Sequence, residues 1–493
     1  MKAKTMAKNS CIADGVIRDK EKMEEKWSSL FERLALAWGE PHARDILEAL
    51  SELYSIYTVD VAKWYANLFD PEIGGYYYSN SARDFEEATY NGETYKLLPD
   101  IESTYQGDGF LHSSLVEVSA TKSVPSWYSE KIVKFVKSLQ DKESGYFYHP
   151  QWGKKLTDQF LSRRGRDLQM AVKVLERYGS APTYDTPLGT HGDGLLADGT
   201  PADMTDAYQY KPASAKEKEK ADRAVAPHLV DKESFEKYLA DIAVDYDKTK
   251  NSYTVGNHFE AQGPQILARD EALRSEGAKY SLCDILKEWF DERFNPETGI
   301  WSASETVGYT EVNGILKVAA AYNKIHRPLP DPVASMRAAI GVITSYDDPK
   351  HVCSVLNPWY AISIIRENVE RYISTEKKGE LAAEVDSVRR ELIRQYPELV
   401  RATTKKLRMF RKPDGSFSYY ENNTAFCSQG MPVAHGAPNE GDLNATNICN
   451  FGIIGHIFSG LGEEALPIFT ETDRLEYVRI LEKNLKSYER RKV

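Results

Sequence analysis

A short turn recurs along this chain, and it limits the fold more than any other feature. Its pattern is an Asp or Asn, three residues, a Gly, then an aromatic or apolar pair. It reads DPEIGGYYY at 70–78, DKESGYF at 141–147 and NPETGIW at 295–301. A shortened version, KPDGSFSYY, lies at 412–420. DKTKNSY at 247–253 has Asn251 where the Gly is expected, and SYDDPKHV at 345–352 is weaker still. Gly and Asn are the residues that tolerate the left-handed backbone a sharp stop requires.

Each copy follows an amphipathic helical pattern, such as SWYSEKIVKFVKSLQ before the second. Each is followed by a more apolar one, such as YTEVNGILKVAAAYNKI after the third full copy. Six helix–turn–helix units of this kind imply an all-α fold. The expected architecture is an (α/α)6 toroid, six helical hairpins around a central cavity, with amphipathic helices outside and apolar helices inside. The toroid is expected over 59–460, after an N-terminal helical extension (1–58) and before a C-terminal helix (461–493). The segment 179–233 breaks the rhythm and is expected to be an inserted lid, with its KEKEKADR run a solvated helix. A second long loop, 421–446, leads into the sixth inner helix.

Five of the six inner patterns begin with an acid, one residue, then a polar side chain. These are Glu102-Ser-Thr104, Asp167-Leu-Gln169, Glu260-Ala-Gln262, Glu311-Val-Asn313 and Asp442-Leu-Asn444. The fifth unit has Pro358-Trp-Tyr360 instead. Taken singly, an acid in a first turn reads as a cap or a partner of the helix dipole. Taken together at matched depth, five acids point to the rim of one cavity.

Other residues are expected near that rim. SNSARD offers Asn80, Arg83 and Asp84, and FLSRRGRDLQM offers Arg163, Arg164 and Arg166, of which at least one should reach inward. Tyr76, Tyr77, Trp301 and Tyr309 follow the turns and are placed to plug the rim or to stack on a ligand. His258, beside Glu260, is expected to open an inner helix, and His191, His351 and His435 lie in or beside loops. No histidine pair has metal spacing, so neither a metal nor another cofactor is expected.

The turn, its loop and the polar helix PDIESTYQGDGFL resemble the repeat of the terpenoid cyclase and protein prenyltransferase superfamily. Six-hairpin glycosidases and toroidal polysaccharide lyases share that architecture. The resemblance implies the toroid, and the chemistry does not carry over. The chain has no DxDD, Asp347-Asp348-Pro-Lys-His351 ends in His where DDxxD needs an acid, and Asp284 merely adjoins Cys283 where a zinc site needs D-x-C.

The net charge of -11 argues against nucleic acid as a partner. No run of 18 apolar residues occurs, so no membrane span is expected. The N-terminal residues lack the apolar core of a signal peptide. The five cysteines (11, 283, 353, 427 and 449) are scattered, as in a reducing cytoplasm. The resulting expectation is a cytoplasmic carbohydrate-active enzyme, a glycoside hydrolase taking short oligosaccharides. Such hydrolysis needs one protonated and one ionised carboxyl group. The sequence offers Glu102 or Glu311 as acid and Asp442 as base or nucleophile. Substrate contacts are expected from Asp100, Arg83, Arg166, Asp167, His258, Glu260, Tyr309, Asn313, Tyr360 and Asn444. The alternatives are a lyase using Tyr309 or His258 with an arginine, and a terpenoid-cyclase-like enzyme acting on an isoprenoid.

Overall fold

The computed structural model describes residues 2–110, 123–211, 225–302 and 304–492. Four copies of the turn share one hydrogen-bond pattern. In three of them the leading N–H donates to the carbonyl five residues on, Asp70 to Gly75, Asp141 to Tyr146 and Asn295 to Ile300, each at 2.8 Å. The Gly four residues on donates back to the leading carbonyl at 2.8–2.9 Å. The copy at 412–420 is one residue tighter, with Lys412 donating to Ser416 at 2.7 Å and Gly415 donating back at 3.0 Å. The acid or amide stabilises the turn locally. Asp70 Oδ1 accepts the Glu72 and Ile73 N–H groups, Asp141 Oδ2 that of Ser144, and Asn295 Oδ1 that of Glu297.

Helices dominate between these turns. Ahead of the repeats lie α1 (Lys2–Trp38) and α2 (Glu40–Tyr54). The first unit holds α3 (Val59–Leu68), the short α4 (Asn80–Asp84) and α5 (Ile101–Asp108). The second holds α6 (Ser126–Ser138), α7 (Gly153–Thr157) and α8 (Leu161–Arg177). Then come the pairs α9 (Lys232–Thr249) with α10 (Ser252–Ser275), and α11 (Leu282–Asp291) with α12 (Tyr309–Lys324). The fifth pair is α13 (Pro332–Ile343) with α14 (Val352–Tyr372). In the sixth, α15 (Thr375–Phe410) precedes α16 (Leu443–Asn447), which runs through a π-helical stretch, Ile448–Ile453, into α17 (Ile454–Leu461). α18 (Glu471–Lys492) follows. Strands are confined, among the described residues, to two antiparallel hairpins. These are β1 (Glu87–Tyr90) with β2 (Glu93–Lys96) and β3 (Cys427–Ser428) with β4 (Met431–Pro432). The all-α expectation is met. No described helix is long and apolar enough to cross a membrane.

The second helices of the units pack in series. α8 lies on α5, α5 on α16, the π stretch and α17 on α14, α14 on α12, and α12 on α10. The first unit therefore meets the sixth. One core joins α3, α5, α6 and α8 to α18 through Tyr65, Phe69, Tyr128 and Leu481. A larger core unites the remaining units with α1 and α2. Outside the units, α2 packs on α15, α18 packs on α3, and α1 touches both α2 and α18.

Several boundaries differ from the sequence reading. α10 starts at Ser252, so His258 does not open it and Glu260 lies in its third turn. The reason is local: Asn251 accepts the Thr254 N–H at 3.1 Å as an N-cap, and Lys250 takes the left-handed turn at φ 50°. Gly256 is a packing residue, since a Cβ there would lie 2.6 Å from the Val318 nitrogen of α12. α8 starts at Leu161, so Asp167 lies in its second turn, and Pro358 lies inside α14.

The front of the 179–233 segment packs along α6 and the second turn. Lys137 Nζ meets Asp193 at 2.7 Å, Gln140 Nε2 donates to the Tyr184 carbonyl at 2.8 Å, and Tyr208 donates to the Lys142 carbonyl at 2.8 Å. Polar contacts hold this front half against α6 and the second turn. The KEKEKADR run lies outside the described residues.

Gly299 tests the turn. Its φ is 73°, and a Cβ there would sit 2.4 Å from the Ala334 carbonyl. Left-handed strain and overpacking together predict that Gly299→Ala costs about 2–4 kcal/mol. Urea denaturation monitored by far-UV circular dichroism measures it, and a loss under ~1 kcal/mol would show that the turn does not need glycine.

Candidate functional site: a buried carboxylate–arginine cluster

The α5–α8 junction gathers charge that the sequence distributes over 67 residues. Asp100 is the N-cap of α5: its Oδ1 accepts the Ser103 N–H at 2.9 Å and its Oδ2 the Ser103 hydroxyl at 2.6 Å. Glu102 follows in the first turn. Arg163 reaches across from the first turn of α8 and is fully buried. Its Nη2 meets Asp100 at 2.5 Å, its Nη1 meets Glu102 at 3.0 Å and its Nε meets Asp167 at 3.0 Å. A second guanidinium, Arg166, also pairs with Glu102. A buried guanidinium must be fully paired to be tolerated, and here three carboxylates do so.

The balance is three acids against two arginines. Burial pushes Asp167 up to about 7, against the pull of Arg163, so this carboxyl holds a proton well above the usual range. His149 abuts it, with Nδ1 3.6 Å from Asp167 Oδ2. Burial holds that imidazole down to about 3, so the contact is not an ion pair. The Ile101 N–H donates to His149 Nε2 at 3.0 Å, which places the ring proton on Nδ1, facing Asp167. The guanidinium of Arg163 lies 4.8 Å from the Trp152 ring centre.

The cover over this cluster comes from the loop 421–441. Ser428 donates its hydroxyl to Glu102 Oε2 at 3.0 Å, and its carbonyl accepts from Arg163 at 3.4 Å. Trp152 Nε1 donates to the Pro432 carbonyl at 3.2 Å, and Tyr78, Met431 and Val433 pack around that ring.

Asp442 lies next door as the N-cap of α16. It accepts the Ala445 N–H at 2.8 Å and the Tyr419 N–H at 2.9 Å. Burial outweighs these bonds and raises its carboxyl to about 6. Asn444 Oδ1 accepts from Gln106 Nε2 at 3.2 Å, which joins α16 to α5. The structure thus brings Asp100, Glu102, Arg166, Asp167, Asp442 and Asn444 together on adjacent helices.

The other sequence-chosen residues lie elsewhere. Glu311 Oε2 accepts the Gly308 N–H at 2.9 Å in a capping role on α12, which α14 separates from the sixth unit. Asn313 Oδ1 accepts from Asn357 at 2.8 Å, and Glu260 pairs with Lys317 at 2.7 Å. His258 is 2.5 Å from the Tyr238 hydroxyl, and Tyr360 stacks on His456. Tyr309 donates to the Asp347 carbonyl at 3.2 Å. Arg83 pairs with Asp84 at 2.7 Å beside an 870 Å³ surface cavity that also takes in Tyr77 and Asn484. Tyr76 and Trp301 are buried plugs, and Arg164 pairs with Asp158 at 2.6 Å. His191 sits beside Asp185, His351 stacks on Tyr419, and His435 meets the Phe85 edge. Among the described residues, no group of three or more His, Cys, Asp or Glu is placed to hold a metal.

Sequence reasoning passed over His149, Trp152 and Ser428 and did not single out Arg163. The three arginines within four residues were the available signal.

Two variants probe the electrostatics. Arg163→Met leaves buried carboxylates without their counter-charge and should cost about 3–5 kcal/mol of stability. Asp442→Asn keeps an N-cap and removes a titration. Folded Asp442 holds its proton to about 6 while the unfolded chain releases it near ~3.9, so its contribution is full at low pH and is lost as pH rises between these values. Denaturation from pH 4 to 7 should show the wild type losing stability relative to Asp442→Asn as pH rises. The opposite slope would overturn the assignment.

No family model matches the sequence, and no curated protein and no solved structure matches it.

Proposed function

We propose that the six helix pairs close into an (α/α)6 toroid. We propose further that the chain is a cytoplasmic carbohydrate-active enzyme, a glycoside hydrolase acting on short oligosaccharides. The serial packing of the second helices from α8 through α5, α16, α14 and α12 to α10, with the first unit against the sixth, supplies five of the six junctions such a ring needs. The observation that carries the chemistry is the pairing of two differently held carboxyl groups on neighbouring helices. Glu102 is ion-paired to two guanidiniums, while Asp442 is raised by burial to about 6. Glycoside hydrolysis uses such a division, with one carboxyl ionised and the other available as a proton donor. This favours Asp442 as acid and Glu102 as base or nucleophile, the reverse of the order suggested by sequence. Gln106 and Asn444 supply amides beside them, suited to sugar hydroxyls, and Arg166, with 38 % of its side chain exposed, marks the approach.

Both acids are buried, so substrate entry requires the Ser428–Pro432 cover to swing aside. The isoprenoid alternative has less support. Partly or fully exposed positions on the second helices include Arg166, Gln169, Asn313 and Lys317, which do not make an apolar chamber. A lyase would need Tyr309 or His258, and these are hydrogen-bonded on two different helices.

The test compares Glu102→Gln, Asp442→Asn and Glu311→Gln on a panel of aryl glycosides and unsaturated uronyl oligosaccharides. The first two should lose about 10²–10⁴-fold in turnover, and Glu311→Gln should keep turnover while losing about 0.5–2 kcal/mol of stability as a cap. Wild-type turnover that survives both Glu102→Gln and Asp442→Asn would remove the hydrolase reading from this cluster.

A further inference from the structure

A groove of about 470 Å³ runs between α9 and α11, away from the carboxylate cluster. Leu239, Val244, Ile285 and Trp289 form its apolar floor. Val244 is 54 % exposed, which is unusual for a β-branched residue on a helix that has a filled core side. That core side is already used by Phe235, Leu239 and Tyr246, so Val244 belongs to a second apolar stripe. Carboxylates rim the groove: Glu236, Asp247, Glu288 and Glu292. The one cation lining it, Arg293, lies 3.9 Å from the Trp289 ring centre and donates Nη1 to the Trp289 carbonyl. Two buried donors, Trp289 Nε1 and Arg293 Nε, have no acceptor among the described residues. Trp289 is only 8 % exposed, so water gives its N–H little relief.

An apolar floor with an acidic rim fits a cationic amphipathic helix. The chain itself carries such a segment. Residues 1–20 hold Lys2, Lys4, Lys8, Arg18 and Lys20 against Asp14 and Asp19, a net of +3 in a chain whose total is -11. Residues 2–20 belong to α1.

We propose that the α9–α11 groove receives the basic N-terminal segment of α1 from a second copy of this chain. The contact is heterologous, arm into groove, so it propagates to a closed ring or to a filament. Acidic rim and basic arm steer the encounter, and salt weakens it.

Complementation between two variants of the full chain tests this by analytical ultracentrifugation. Val244→Glu blocks the groove, and the triple change Lys2→Glu, Lys4→Glu, Lys8→Glu blocks the arm. The wild type should self-associate at low salt and dissociate at high salt. Each variant alone should remain monomeric, and their mixture should give a one-to-one dimer and nothing larger, because only one arm–groove pair survives. Glu288→Lys, an exposed charge reversal that does not disturb packing, serves as a second groove variant and should also abolish self-association. A monomeric wild type at all concentrations overturns the proposal. So do variants that assemble like the wild type, or a mixture that stays monomeric. Capture of an unrelated cationic helix in a Val244-dependent way, with no self-association, assigns the groove to another partner and overturns the second copy as occupant.

Discussion

The buried guanidinium of Arg163 is the constraint on which the first, second and sixth units depend. An arginine without solvent is tolerable only when its donors are met by charge, and here they are met from three directions. Asp100 and Glu102 come from α5, Asp167 from its own helix one turn on, and the Ser428 carbonyl from the loop of the sixth unit. Each partner has a local duty as well: Asp100 caps α5 while holding Arg163. Moving α8 relative to α5 would therefore break the Arg163 pairs with Asp100 and Glu102 together, which makes the junction cooperative. The surplus negative charge is absorbed by Asp167, where burial retains a proton to about 7.

What could be read from the sequence follows the range of the interactions. The repeated turn was legible because its determinants lie within five residues: an Asp or Asn side chain accepting the next N–H groups, and a Gly that takes the return. The same locality explains why Glu311 and Asp442 could be read as caps, since each accepts an N–H three residues away in sequence. Asp167 and Glu260 looked equivalent to them and are not, because α8 and α10 begin upstream of the residues taken as their starts. At α10, Gly256 lies inside the helix as a close approach to α12. The convergence on Arg163 was not legible. Its partners sit 4 to 265 residues away, and His149 and Ser428 carry no spacing signature at all.

The two long loops are held in different ways. The 179–233 segment is the longer excursion, yet Lys137, almost fully buried, fixes Asp193 against α6 with a 2.7 Å contact. The 421–441 loop is shorter and lies directly over the acids. It is held by Ser428 on Glu102, by the Pro432 carbonyl on Trp152, by the buried Glu440 carboxylate on the Ser81 hydroxyl at 2.7 Å, and by the packing of Met431 and Val433 near Trp152. When Ser428 leaves Glu102, both guanidiniums remain on that carboxylate, and Arg163 gives up the Ser428 carbonyl.

Linkage then connects the cover to the proton on Asp442. That carboxyl is raised to about 6 chiefly by burial, and part of its burial comes from the loop, whose Ala425 N–H also donates to it. Opening that admits water moves the group back toward its ordinary value, so the open form binds fewer protons between pH 4 and 6. The closed form is favoured at the acid end of that interval and loses its advantage as pH rises through about 6. The same burial that raises Asp442 therefore ties its protonation to the closed state. In an enzyme of the proposed kind, the donor would be armed only once the cover has shut on the substrate, and water would be absent at that moment. A carboxyl that serves as helix cap, proton store and contact for the cover explains why Asp442 sits at the start of α16 with no solvent around it.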